Sequence, residues 1–230
     1  MMSFSLLLLL VLLGFPSAQG GKKPPPPPPD TYSSFNPGGQ YIMLTFSGGP
    51  HHLITRAILD ILKEKKARAT FFVTGHRALQ REYFLKRMHK EGHEIGSEGF
   101  HALPFTKMRP ETVLQHVHTT AALVGNATGS GVRVVRPPGG LTNPLLNALL
   151  KAQYRVVLWS LDSQDATLTD PAAVTALVVG SAKPGDVVLL HDTRNVTVAA
   201  LPGILDALHA AGFELLTLAQ VLSFPDDSPH

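Results

Sequence analysis

The chain has 230 residues, 44% of them hydrophobic and 16% charged, which is the profile of a globular protein with one substantial core or two small ones. Its formal net charge is +3 and its pI near 9.2; that surplus is too small and scattered to call for nucleic acid, and no Lys/Arg run is interleaved with aromatics. Cysteine is absent, which excludes disulfides, thiol nucleophiles and thiolate metal sites and leaves the redox compartment open.

In chain order, residues 1–20 carry the run Leu-Leu-Leu-Leu-Leu-Val-Leu-Leu and close on Ser17-Ala18-Gln19-Gly20. The run is too short to span a bilayer. It matches a secretory signal peptide, although no Lys or Arg precedes it, with an uncleaved anchor as the alternative. Residues 21–40 read as a proline-rich linker, in which prolines 24–29 form a stiff polyproline II spacer. The domain proper is expected over 41–223, with a short tail at 224–230. Two N-x-T sequons, at Asn126 and Asn195, agree weakly with a secreted or cell-surface glycoprotein. No stable membrane span is expected once the signal is cleaved.

From residue 41, short apolar runs alternate with amphipathic segments. Strands are predicted at Tyr41–Phe46, Ala69–Val73, His93–Ser97, Val132–Arg136, Arg155–Leu161, Asp186–His191 and Phe213–Thr217, with helices near 53–66, 78–91, 110–124, 142–152, 171–182 and 198–211. Nearly continuous runs such as Val-Val-Leu-Leu suit parallel strands buried on both faces. The alternation implies an α/β fold with a parallel sheet, either open or closed. Phe46-Ser-Gly-Gly-Pro lacks both G-x-G-x-x-G and a P-loop lysine, which weakens a nucleotide-binding reading. About 190 residues is short for eight full β/α units, so a distorted (β/α) barrel of about seven parallel strands is expected.

In such folds the site forms at the carboxyl ends of the strands. The residues found there are Ser47-Gly48-Gly49-Pro50-His51-His52, Glu98-Gly99-Phe100-His101, Arg136-Pro137-Pro138-Gly139-Gly140, Asp162-Ser163-Gln164-Asp165 and His191-Asp192. Carboxylates, imidazoles and one guanidinium converge on one rim, as a ligand or catalytic site requires.

The order T-F-x-x-G-P, H-E-I-G, R-P-P-G-G, W-S-x-D-S-x-D, L-L-H-D, spread from about Tyr41 to Leu222, resembles the polysaccharide deacetylase family (NodB homology domain, carbohydrate esterase family 4). The resemblance implies a distorted (β/α) barrel and metal-dependent hydrolysis of N-acetyl groups on chitin or peptidoglycan. It also implies His191 as general acid, Arg136 as the group orienting the base, and Asp162 and Asp165 as supporting carboxylates. A saccharide would lie against Arg136, Pro137, Trp159 and His191, although Trp159, inside an apolar run, also reads as a core residue.

Two of the motifs depart from the family's. The family's T-F-D-D-G-P supplies a base and a metal ligand; here those positions hold Ser47 and Gly48. The two histidine ligands of its second motif fall on Glu98 and Ala102. A metal-bound water has its pKa lowered from 15.7 to about 7, a positioned base contributes about 10²–10⁴-fold, and a catalytic zinc commonly takes about three protein ligands. Deacetylation by this set is therefore expected to be depressed at least about 10⁴-fold, with no cofactor held in the family pattern.

One rescue is a rebuilt zinc or cobalt site in which Glu98 and His101 share a helical turn and His51 or His52 completes the set. A Ser47–His191 nucleophile pair is a further alternative, although F-S-G-G-P is not a nucleophile elbow. Three functions are thus carried forward. The first is an inactive or very weakly active, secreted deacetylase-like protein that binds chitin or another N-acetylglucosamine polymer, the second an active deacetylase with a rebuilt site, and the third a structural or interaction protein on the same scaffold.

Overall fold

The computed structural model describes residues 31–35 and 38–223; the signal-peptide, polyproline and tail readings lie outside them. Nine strands among the described residues form one sheet: β1 (Thr31–Tyr32), β2 (Tyr41–Ser47), β3 (Thr70–Val73), β4 (Glu94–Ser97), β5 (Val134–Val135), β6 (Arg155–Val157), β7 (Leu161–Asp162), β8 (Val187–His191) and β9 (Glu214–Leu215). Their order is β1-β6-β5-β4-β3-β2-β8-β7, with β9 beside β2, and every ladder is parallel. Among the described residues no ladder joins β1 to β7, so the sheet curls without closing. This is the distorted barrel the sequence implies.

Two strands depart from expectation. Thr31–Tyr32, read as linker, pairs with β6, and Phe35, also read as linker, is buried beside Met43, Phe72 and Val187. The run Arg155–Leu161, read as one strand, is two: Leu158 NH leaves β6 for Tyr32 C=O at 2.8 Å, and Ser160 NH reaches Val187 C=O at 3.1 Å. The single apolar run changes neighbours halfway, and Trp159 sits at the break.

Eight helices are found among the described residues: α1 (Ile54–Glu64), α2 (Gly75–Gln80), α3 (Glu82–Lys90), α4 (Pro110–Thr128), α5 (Pro144–Lys151), α6 (Pro171–Ser181) and α7 (Asn195–Ala210) cover the outer face, and α8 (Leu218–Val221) packs Leu218 and Val221 against the interior cluster. Local chemistry starts several of them. Asn143 accepts from Leu146 NH at 2.8 Å and Asp170 from Ala172 NH at 2.9 Å, each just before a proline, and Thr217 with Gln220 forms a capping box. Proline 202 lies inside α7 and removes one helical donor. The helix persists because Leu201, Ile204, Leu205 and Leu208 are fully buried against the sheet.

Strand parity divides the core. Ile42, Leu44, Phe46, Phe71, Val73, Val135, Val156, Val188 and Leu190 belong to the large cluster under the helices. Met43, Phe72, Val134, Val157 and Val187 fill the barrel interior. The interior is tight at Gly96, where a Cβ would stand 2.8 Å from both the Phe72 ring and a Val134 methyl. Gly96→Ala is accordingly expected to cost about 1–3 kcal/mol of overpacking, read as a lower midpoint in urea unfolding with an unchanged m-value.

Candidate functional site

Continuing the inward parity past Met43, Val134 and Val187 to the strand ends brings Ser47, Arg136 and His191 to the mouth of the barrel, where Ser47 pairs in register with both Phe72 and His191. Glu98 follows β4 by one residue and Trp159 follows β6 by two. Period two in the strands thus gathers side chains that lie up to 144 residues apart.

Arg136 is 1% exposed. Its guanidinium lies 4.0 Å over the Phe72 ring and 5.6 Å from the Trp159 ring. It donates to Val157 C=O at 3.2 Å, to Leu158 C=O at 2.7 Å and to Ser47 Oγ at 3.2 Å. Burial lowers its pKa to about 9, opposed by the charge of Glu98, so it remains a cation at neutral pH. The group expected to orient a base is aimed at a serine hydroxyl.

His191 makes the strongest pair of the site. Its Nδ1 meets Asp165 Oδ1 at 2.6 Å and its NH donates to Asp165 Oδ2 at 2.7 Å; Thr197 Oγ1 donates to the same Oδ2 at 2.5 Å. Burial opposes both charges, but the hydrogen bond and mutual attraction prevail, raising the imidazole's pKa and lowering that of the carboxylate. Nδ1 faces Asp165, which leaves Nε2 for a substrate atom. Thr197, the last residue of the second sequon, is fully buried and has this structural duty. The sequence reading missed it, because nothing local marks a threonine in the first turn of α7 as a partner of residue 165.

The turn Ser47-Gly48-Gly49-Pro50 is held by two buried carboxylates. The Gly48 amide lies toward Glu98 and the Gly49 amide toward Asp192, while Thr55 Oγ1 donates to Asp192 Oδ2 at 2.6 Å. Gly49 C=O accepts from Thr74 NH at 2.9 Å. A Cβ on Gly49 would fall 1.9 Å from Asp192 Oδ2, so this glycine is dictated by the carboxylate beneath it. Asp192 stood in the L-L-H-D motif, yet its role shows only when that loop folds over it. Glu98 Oε2 and Asp192 Oδ1 are buried with no hydrogen-bond partner, and burial raises the two carboxyls to about 7 and about 6.

Other sequence-nominated residues are placed elsewhere. Asp162 is exposed and accepts from Gln164 NH at 2.8 Å; no hydrogen bond joins it to Arg136 or His191. Pro137 is buried and shapes the turn after β5 from below. Trp159 is half-buried rather than core, and its indole covers Gly140, where a Cβ would stand 2.6 Å from the ring. Ser47 and His191 share no hydrogen bond, since Arg136 and Asp165 occupy them.

The rebuilt metal set is not assembled. Residues 98–101 form no helical turn: Ser97 Oγ accepts from Gly99 NH at 3.1 Å, and Gly99 turns the chain at φ +81°. Glu98 thereby points inward while His101 is exposed, its ring 5.3 Å from His76 and 5.8 Å from His116. His52 Nδ1 meets Tyr83 OH at 3.1 Å, and His51 Nδ1 accepts from Ile54 NH at 3.3 Å. Among the described residues no group of three or more His, Asp or Glu is placed to hold a metal ion. The one carboxylate in register, Glu98, is already engaged by Gly48, and Ala102 offers nothing, so the residues present do not fit the family's metal.

The Glu98 pKa has a sign that can be tested. Unfolded, the carboxyl titrates near 4.5; folded, near 7. Between these values the folded state binds the extra proton, so stability falls as pH rises through that window. Glu98→Gln removes this component. Its melting temperature should match or trail the parent's at pH 4.5 and exceed it above pH 7, as measured by thermal unfolding across pH.

Comparison with known proteins bears on this site. The family model described as polysaccharide deacetylase matches residues 35–157. The chain is 31% identical to the chitooligosaccharide deacetylase of Sinorhizobium fredii, over 80% of this chain and 92% of that one. It is 32% identical to the peptidoglycan-N-acetylglucosamine deacetylase PgdA of Listeria monocytogenes over 78% of its own length, but spans only 38% of that protein. The solved structure of a T48 deacetylase with substrate superposes with a TM-score of 0.78 at 35% identity, covering 83% of this chain and 94% of that one. The parallel barrel, the His191–Asp165 pair and these matches together place the chain in the polysaccharide deacetylase family.

Proposed function

We propose that this protein is an exported, catalytically silenced polysaccharide deacetylase-like protein that retains a binding surface for N-acetylglucosamine polymers. One observation carries the reading: the side chains where water would be activated are engaged in holding the loop. Ser47 is tied to Arg136, and Glu98 and Asp192 are buried against the Gly48-Gly49 turn, Asp192 also accepting from Thr55. A serine hydroxyl that accepts from a guanidinium is no general base, and the Glu98 carboxyl, raised to about 7 by burial, is only partly ionised at neutral pH.

The acid half of the site is intact. His191, oriented by Asp165, presents Nε2 toward the mouth, and the half-buried Trp159 beside Gly140 offers an aromatic face to a sugar ring. The relatives' names supply the polymer class: one acts on chitooligosaccharides, the other on peptidoglycan N-acetylglucosamine. The apolar leader and the polyproline spacer support export to a wall or surface. Among the described residues no helix is long and apolar enough to cross a membrane.

Acetate release from chitooligosaccharides and from peptidoglycan fragments should fall at least about 10⁴-fold below that of an active relative, with sub-stoichiometric metal in freshly purified protein. Retention on insoluble chitin or peptidoglycan should persist and weaken in Trp159→Ala. Bound zinc or cobalt with turnover rejects the silenced reading; retention on neither polymer rejects the saccharide reading.

Restoring Asp at Ser47 and Gly48 and His at Glu98 and Ala102 is expected to recover metal binding and measurable hydrolysis. Gly48 sits at φ +92° with its Cβ position 3.5 Å from Thr193 Cγ2, so its replacement costs roughly 1–2 kcal/mol of backbone strain without a clash. Should that variant not fold, Glu98→His with Ala102→His reads metal affinity alone.

A further inference from the structure

The opposite end of the barrel carries a feature that acetyl hydrolysis does not use. Around the foot of β3 and β4, where α1 and α3 end, lies a cavity of about 660 Å³ lined by Lys63, Lys66, Arg68, Lys86, Arg87 and Lys90 against the single carboxylate of Glu91. It adjoins a second depression of about 500 Å³ through His93 and a third of about 510 Å³ through Lys66–Arg68. The cations of this one furrow outnumber its acid by more than the net surplus of the whole chain, which is +3. Two short basic stretches, 63–68 and 86–90, are brought together here.

Pairing does not account for these cations. Arg87 is bound by Asp60 at 2.7 Å and Glu91 at 2.9 Å, and Lys86 by Glu82 at 2.6 Å. Lys63, Lys66, Arg68 and Lys90 are exposed, and their side chains enter no ion pair or hydrogen bond among the described residues. Compensation of helix dipoles falls short as well: the ends of α1 and α3 supply roughly half a negative charge each, against four free cations. Surfaces with no partner for their charge ordinarily intersperse both signs.

The lining also selects the class of anion. It contains no Phe, Tyr or Trp, and its one imidazole, His93, is buried, so it offers no open aromatic platform to a nucleobase. The exposed large hydrophobics (Leu53, Leu79, Tyr83, Leu103, Leu141 and Leu145) all lie on segments that follow carboxyl ends of strands, so this end offers no apolar anchor to a bilayer. What remains is a channel of flexible cations joined to further depressions, suited to repeated anionic groups on a linear chain.

We propose that this furrow is a docking site for an anionic polysaccharide bearing sulfate or carboxylate groups, separate from the mouth that faces the N-acetylated polymer. The two ends of the barrel then hold two glycans at once, one neutral and one acidic. The proposal does not depend on the catalytic state of the mouth.

The test uses the full chain with size-defined heparin (sulfate) and oligogalacturonate (carboxylate) as probes and neutral chitooligosaccharide as control. Binding is titrated by calorimetry over a series of salt concentrations. Binding of either acidic probe is expected, with log Kd linear in log salt. Lys63→Gln, Lys66→Gln and Lys90→Gln together should weaken it at least about tenfold and lower the salt slope by roughly one unit per cation removed. Exposed lysines of this kind leave stability within about 0.5 kcal/mol, so unchanged melting is the folding control, and chitin retention should be unaffected. His191→Ala should leave heparin or oligogalacturonate binding as it was. Equal binding by the triple variant overturns the assignment, as does failure of both acidic probes at low salt. Tighter capture of single-stranded DNA or of phosphatidylserine vesicles through the same three lysines also overturns it, by showing a different partner.

Discussion

The two-residue period of the parallel strands is the constraint on which the rest of this molecule depends. Each strand alternates between a helix-facing layer and a narrow interior, and a slip of one residue would exchange the two. Met43, Phe72, Val134, Val157 and Val187 fill the interior from below. The same parity, continued to the strand ends, delivers Ser47, Glu98, Arg136, Trp159 and His191 to the mouth. The buried guanidinium of Arg136 marks the border of the two regions: below it is the Phe72 ring at 4.0 Å, and around it are two strand-end carbonyls and one hydroxyl. Gly96 belongs to the same economy of space, because only its missing side chain lets Phe72 and Val134 meet.

Within that frame the glycine-rich turn is an electrostatic object. Its two amides point at two carboxylates withdrawn from water, one of which also receives the Thr55 hydroxyl. Desolvation penalises both anions, and the amide dipoles offset that cost only in part. At the other side of the mouth the His191–Asp165 pair keeps the geometry of proton transfer, with three donors fixing the carboxylate. One side of the mouth carries a hydrogen-bonded imidazole–carboxylate pair, and the other carries a loop resting on buried carboxylates.

The correspondence between residues and roles was uneven, and the reasons are local. Arg136, His191 and Asp165 were legible because each ends, or closely follows, a recognisable strand. Asp162, three residues from Asp165, was nominated with it, yet the turn that places one carboxylate on His191 leaves the other in solvent. Glu98 and His101 have helical spacing, but a strand runs directly into a glycine there and the i, i+3 rule has no helix to act on. Trp159 lies in an apolar run that reads as continuous; the change of partner from β1 to β8 breaks it and lifts the indole to the mouth. Thr197 and Asp192 serve partners 32 and 137 residues away, distances at which no periodicity speaks.

What the amino-acid order alone determined here is the alternation of elements, the parallel α/β class, the family and the residues that stand at its motif positions. These follow from hydrophobic period and from motifs, both short-range properties of a chain. Only the tertiary structure decided that the lone carboxylate of the second motif is buried against the glycine turn, that two halves of one apolar run join different neighbours, and that six cations from two stretches meet at one furrow. Those outcomes depend on which distant atoms come within a few ångströms of each other, and burial and charge act through that proximity rather than through position along the chain.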